Sequence, residues 1–135
     1  MNRWLFKSDP DTYSFADLKR DGRTVWDGVS NPVALKHLRC VLRGDAILIY
    51  HTGKEKAVVG MASAASDSYP DPKQPASKLV VVDIAAGARL ARPVALATLK
   101  QRGDLGNLDL VRLPRLSVMP VSESQWKVIL SLAKA

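Results

Sequence analysis

The sequence predicts an α+β fold: a small curled mixed β-sheet or barrel with helices packed around it. Three observations carry that expectation. Short runs rich in aliphatic and aromatic residues recur along the chain, each bounded by turn residues, as strands are. Helix starts written in capping chemistry stand between and after them. The acidic residues are eleven Asp against two Glu, and aspartate favours caps and turns over helix interiors, so the elements should be short.

The elements follow in order. Residues 3–7, RWLFK, read as a strand ended by Ser-Asp-Pro. Ser14 with Asp17 three residues later forms a capping box in its acidic form, so a short helix should follow and stop near Gly22. Asn31-Pro32 is a helix start: Asn caps, and Pro suits the first helical position because its missing N–H would have no partner there. That helix is expected to run to about Arg43, with Gly44 ending it. Leu35, Leu38 and Leu42 would face inward, and Lys36, Arg39 and Arg43 would share the other face. AILIYH and AVVGMASAA read as two strands joined by a Thr-Gly-Lys-Glu-Lys hairpin, and SYPDPKQP, residues 68–75, as a proline-rich loop. LVVVDIAAGARL is a strand whose near-continuous apolar run suggests burial on both faces. Residues 93–101 look helical, RGDLGNLDL irregular, and RLSVMPV a late strand whose proline suits an edge. Ser122 with Gln125 caps a last helix anchored by Trp126, Ile129 and Leu130.

The 135 residues suit one domain, 1–135, able to bury about two thirds of its unfolded surface. No run approaches the roughly 20 apolar residues that span a bilayer, and the start MNRWLFKSDP is not a signal peptide. A cytoplasmic protein is therefore expected, or a nuclear one in a eukaryote, with no membrane partner. One cysteine, Cys40, excludes an internal disulfide, and with only His37 and His51 beside it no zinc-ligand spacing exists. No cofactor is predicted. A net charge of +7 favours an anionic partner such as nucleic acid.

Trp26 poses the sharpest question, because it stands before a turn-like run, Asp27-Gly28-Val29-Ser30-Asn31-Pro32, at the lip of a loop. Its ring either plugs the gap between loop and core or forms the wall of a pocket. Trp4, alternating in its strand, and Trp126, on the inner face of a capped helix, read as core. His37 and Cys40 share a helix face, where a surface or half-buried position is the simpler reading.

Five stretches, WLFKSDPDTYSFADL, WDGVSNPVALKHLR, GDAILIYHTG, SYPDP and RLSVMPV, occur here in the order and spacing of the EVE domain. The chain resembles that PUA-like family over about residues 3–133. The resemblance implies a PUA-like fold and a non-catalytic module that binds DNA or RNA carrying a modified base, turned out into an aromatic-lined pocket. It implies that Lys7 and Ser8 lie beside the pocket, that Trp26 is a wall for the base, that Val29 and Asn31 follow on the same loop, and that Tyr50 and His51 complete the rim. Many family members have Arg where this chain has Ser30 and an aromatic residue where it has Pro32, so the resemblance implies that a cationic phosphate contact or base-stacking group, and a second ring, are absent here. Candidate phosphate contacts are Lys36, Arg39 and Arg43, helped by Arg112 and Arg115 if they lie nearby; such contacts position a strand without reading its sequence. A monomer is expected. The competing reading is a small hydrolase of modified nucleosides like some members of the ASCH family, with Lys7, Ser8 and Asp27 as its working set.

Overall fold

The computed structural model describes residues 1–134. In chain order the elements are β1 (Arg3–Ser8), α1 (Phe15–Asp21), β2 (Arg23–Trp26), α2 (Pro32–Arg39), β3 (Ala46–His51), β4 (Ala57–Ala64), β5 (Tyr69–Pro70), β6 (Val80–Ala95), α3 (Leu96–Lys100), α4 (Asp109–Arg112), β7 (Val118–Pro120) and α5 (Glu123–Leu132). The main sheet runs β2-β6-β4-β3-β1-β7, and β5 pairs with β6 beside it. β1 and β3 are parallel and the other pairs antiparallel, so the sheet is mixed. Three strands separate β2 from β1 in that order, yet the Trp26 and Phe6 rings lie 5.5 Å apart. The sheet has therefore curled into a half-barrel.

Local chemistry explains the helices. Both expected capping boxes form: Ser14 Oγ accepts the Asp17 N–H while Asp17 accepts the Ser14 N–H, and Ser122 and Gln125 do the same at α5. Asn31 Oδ1 accepts the N–H groups of Val33 and Ala34, and Pro32 opens α2.

Two expectations are corrected, and one strand was not anticipated. α2 ends at Arg39, not near Arg43, because the buried Asp45 carboxylate accepts the Leu42 N–H that a continuing helix would give to Leu38. Leu42 is consequently exposed, Val41 takes the buried place, and Arg43 leaves the stripe of Lys36 and Arg39. β2 had no strand signal in the sequence, since only the last of its four residues is buried. β6 continues to Ala95, through residues expected to be helical; its start is covered on both faces, the consecutive Val81 and Val82 both being buried, but after Ile84 only Leu90 and Val94 are buried.

Two contacts fix the frame. Asp45 accepts the Trp4 indole N–H at 2.9 Å and the N–H groups of Asn2 and Leu42, tying β1, the end of α2 and β3 together. The fully buried Phe15 ring, at the start of α1, occupies the place where Gly60 on β4 lacks a side chain; a Cβ there would stand 2.3 Å from it. The Phe15 N–H is taken by His51 Nε2 at 2.9 Å. Trp4 is core as expected, and Trp126 is half-buried against it.

Asp45→Ala leaves three N–H donors without their acceptor, one of them a buried indole, at a cost of about 1–3 kcal/mol per unsatisfied buried group. Urea unfolding should show a loss of about 3 kcal/mol, with Asp45→Asn recovering part of it. A loss under about 1 kcal/mol would mean that water replaces the carboxylate readily.

Candidate nucleic-acid interface

The curl leaves a gap where β2 approaches the β1–β7 side, and a cavity of about 640 Å³ opens there. Its lining comes from both sides of that gap: Lys7 and Ser8 end β1, Trp26 ends β2, Val29 and Asn31 follow on the loop into α2, and Ser117 precedes β7. Gly28 adopts φ 77°, a left-handed conformation that other residues rarely take, so the loop can turn back over Trp26.

Trp26 answers to both readings of its place in the sequence. It is 9% exposed and packs on Phe6, so it plugs the half-barrel; what exposure it keeps is to the cavity. Lys7 Nζ donates to the Pro114 carbonyl at 2.7 Å and lies 5.7 Å from the centre of the Tyr50 ring. Burial lowers its pKa below that of an ordinary lysine, while the carbonyl and the ring face both favour its charged form. Ser8 donates its hydroxyl to the Tyr13 carbonyl, which leaves the oxygen as an acceptor. The Asn31 oxygen is committed to capping α2, and among the described residues no acceptor is bonded to its amide nitrogen, which keeps two donors. Val29 supplies a buried apolar wall.

Five of the seven expected site residues, Lys7, Ser8, Trp26, Val29 and Asn31, are thus brought together. Tyr50 and His51 are not on the rim. Both are buried, because β3 is covered on both faces and every one of its residues after Ala46 is shielded from solvent. Tyr50 lies behind Lys7, and burial raises the pKa of its phenol. His51 holds Phe15 through Nε2 and Glu55 Oε1 through Nδ1 at 2.7 Å. Its Nε2 accepts a backbone N–H, so its proton sits on Nδ1, and its work is structural.

The phosphate candidates divide. Lys36 and Arg39 are exposed on α2, which starts at the cavity, and Arg39 reaches the Lys78 carbonyl at 2.7 Å. Arg43 is tied to the Ala65 carbonyl, its own N–H to Asp67, and Arg112 is paired with Asp109 at 2.8 Å. Arg115 lines a separate groove next to the cavity.

Sequence reasoning missed Tyr13, Lys73 and Ser117, which also line the cavity. Tyr13 supplies a second ring from the β1–α1 loop, its hydroxyl donating to Asp21 and its pKa raised first by burial. Lys73, from the proline-rich loop, stands 3.9 Å from Asp27 and brings a cation to the side where Ser30 brings none. Pro32 is exposed at the first turn of α2. Among the described residues no group of His, Cys, Asp and Glu could hold a metal ion, and no helix is long and apolar enough to cross a membrane.

Comparison with known proteins places the family and the fold. The model of the EVE domain family matches residues 2–132. Human thymocyte nuclear protein 1 is 30% identical over 97% of this chain and 73% of its own length. A Rhodopseudomonas palustris protein solved by NMR superposes with a TM-score of 0.93 at 36% identity, covering 98% of this chain and 93% of the other. Human THYN1, crystallised in complex with DNA containing 5-methylcytosine, superposes with a TM-score of 0.93 at 28% identity, covering 100% of this chain and 99% of that one. An ASCH protein of Zymomonas mobilis, at 15% identity and a TM-score of 0.56 over 97% of this chain and 95% of its own, shares the fold alone. With a family match across nearly its whole length and the half-barrel to go with it, the chain belongs to the EVE domain family.

Proposed function

We propose that this protein is a non-catalytic reader of modified nucleic acid, binding one base turned out of its strand in the Trp26 cavity, and that 5-methylcytosine in DNA is its ligand. The observation that carries the reading is the cavity itself: an aromatic ring, an apolar wall, a cation and free hydrogen-bonding groups converge on one space that opens at the surface. The complex of human THYN1 with 5-methylcytosine DNA supports the choice of polymer and base.

The energetics set what such a site can do. Turning a base out costs a few kcal/mol, and stacking on an aromatic face returns about 1–3 kcal/mol. The Ser8 oxygen suits a base amino group, and the Asn31 amide and Lys7 ammonium suit carbonyl or ring-nitrogen acceptors. Val29 suits a methyl group, whose burial is worth about 0.8 kcal/mol, or roughly fourfold in affinity. Stronger discrimination needs polar groups that the plain base leaves unpaired. Lys36, Arg39 and Lys73 would meet phosphates and give the site its salt dependence.

The hydrolase reading has one observation in its favour, that Lys7, Ser8 and Asp27 line the same cavity. Their bonds point elsewhere: Lys7 to Pro114, Ser8 to Tyr13, Asp27 toward Lys73. No relay joins them, so turnover of modified nucleosides by the purified protein is the result that would favour an enzyme.

Two outcomes test the reader. Trp26→Ala should cost about 1–3 kcal/mol in binding a 5-methylcytosine oligonucleotide and little with a plain one. Titrations must be made well below the lowered unfolding temperature, because removing a packed ring also costs about 3–5 kcal/mol of stability. Equal losses on both oligonucleotides would remove the base pocket from the account. The second outcome is a pH effect of two signs. Since burial lowers the Lys7 pKa, stability should rise with pH between that lowered value and the ordinary one, because the unfolded chain holds a proton that the fold releases. Affinity for the anionic strand should fall over the same range as the cavity loses its cation. Lys7→Arg should abolish both trends, and affinity that still falls equally in that variant would take Lys7 out of the interface.

A further inference from the structure

A second concavity of about 350 Å³ adjoins the first and is lined by Asn31, Val33, Leu113, Pro114, Arg115 and Leu116. It is unlike the rest of the surface. Among the described residues the large exposed hydrophobic side chains are Met1, Val25, Val33, Leu42 and Leu113. Three of these five gather at the two openings: Val25 in the cavity, Val33 and Leu113 in the groove. Apolar side chains held open to water beside a binding site mark a surface that is covered in use.

The groove and the cavity share a wall. Asn31 lines both, and Leu116 of the groove is followed directly by Ser117 of the cavity. Pro114 forms part of the groove while its carbonyl holds Lys7 in the cavity at 2.7 Å. The groove therefore lies within reach of a nucleotide adjoining one held in the cavity.

The chemistry of the groove fits that neighbour. Its walls are apolar and free of carboxylates, so a base can lay its face on Pro114, Leu113 and Val33 and be stripped of water there. Arg115 supplies a cation for the phosphate linking the two nucleotides. An apolar protein segment would also suit Val33 and Leu113, but the flanking cations Arg115 and Lys7, and the continuity with the cavity, favour a polyanion.

We infer that the Val33–Leu113–Pro114–Arg115 groove is a second subsite that takes the base flanking the target nucleotide on the same strand. The inference rests on the cavity being the site for the target base, and its test separates the two. Binding would be measured for the intact protein and for Val33→Ser/Leu113→Ser, both exposed positions whose replacement leaves the core alone, with thermal melting as the check on folding. The oligonucleotides would carry 5-methylcytosine or cytosine at the target, with normal bases or one abasic residue immediately 5′ or 3′ of it.

For the wild type, an abasic residue on one side should weaken binding about five- to tenfold, and on the other side little. In the groove variant that abasic penalty should shrink to less than about twofold, while the ratio of affinities for methylated and plain targets stays as in the wild type. An abasic penalty of equal size in both proteins overturns the subsite. So does unchanged nucleic-acid binding in the groove variant, which would leave the groove to an apolar protein segment. Loss of the preference for the methylated target in the wild type would instead defeat the reader itself, and is read from a different pair of oligonucleotides.

Discussion

The contact between the Phe6 and Trp26 rings, 5.5 Å apart, is the interaction on which this molecule depends. It joins β1 to β2 across the open side of a sheet in which three other strands separate them. Irregular pairing bends the middle strands, with register shifts at Ile49/Tyr50 and between Val58 and Ala62, and the ring contact closes the curl so that the two sides of the cavity face one another. The same ring closes the fold and lines the cavity, so stability and the proposed binding are coupled through one side chain. A tryptophan suits such a post because its area is large enough to serve a core and still offer an edge to a ligand.

Trp26 is held in turn by the placement of β2, which follows directly from α1. α1 is anchored at its first residue: Phe15 fills the space above Gly60, His51 takes its N–H, and the Arg89 guanidinium lies 5.2 Å from the ring centre. On the other side the loop after Trp26 is set by Gly28 and by the Asn31 cap, which starts α2 where the cavity ends. Asp45 then stops α2 and binds it to β1. Buried polar groups that are fully satisfied specify one arrangement where apolar packing alone would tolerate several, and here they fix the elements that frame the gap.

What could be read in the sequence was what local chemistry determines. Ser14, Asn31 and Ser122 announced their helices because a cap acts within three residues, and Pro120 marked an edge strand because it lacks a donor. The early end of α2 could not be read, since the group that ends it, the Asp45 carboxylate, belongs to the turn beyond the helix and acts only once that turn is packed. β2 was hidden because its alternation is nearly all solvent-facing. The site followed the same division. Local sequence left Trp26 open between core plug and pocket wall, and the family resemblance was what grouped it with Val29, Asn31, Lys7 and Ser8. Tyr50 and His51 were misplaced because the burial of β3 on both faces is set by the elements packed around it, β1 and β4 flanking it in the sheet. Tyr13, Lys73 and Ser117 reach the cavity from three distant loops, and nothing in their local sequence says so.

The proposed reader requires that a single base enter the space beside Trp26. The most direct measurement is an NMR study of the protein bound to a DNA oligonucleotide whose one 5-methylcytosine carries a ¹³C-labelled methyl group. The account predicts intermolecular NOEs from that methyl to the Trp26 indole and the Val29 methyls, with the methyl resonance shifted by the ring. A methyl that keeps its position and contacts within the stacked strand, while only lysine and arginine signals move, would contradict it and leave a basic surface that holds the backbone alone.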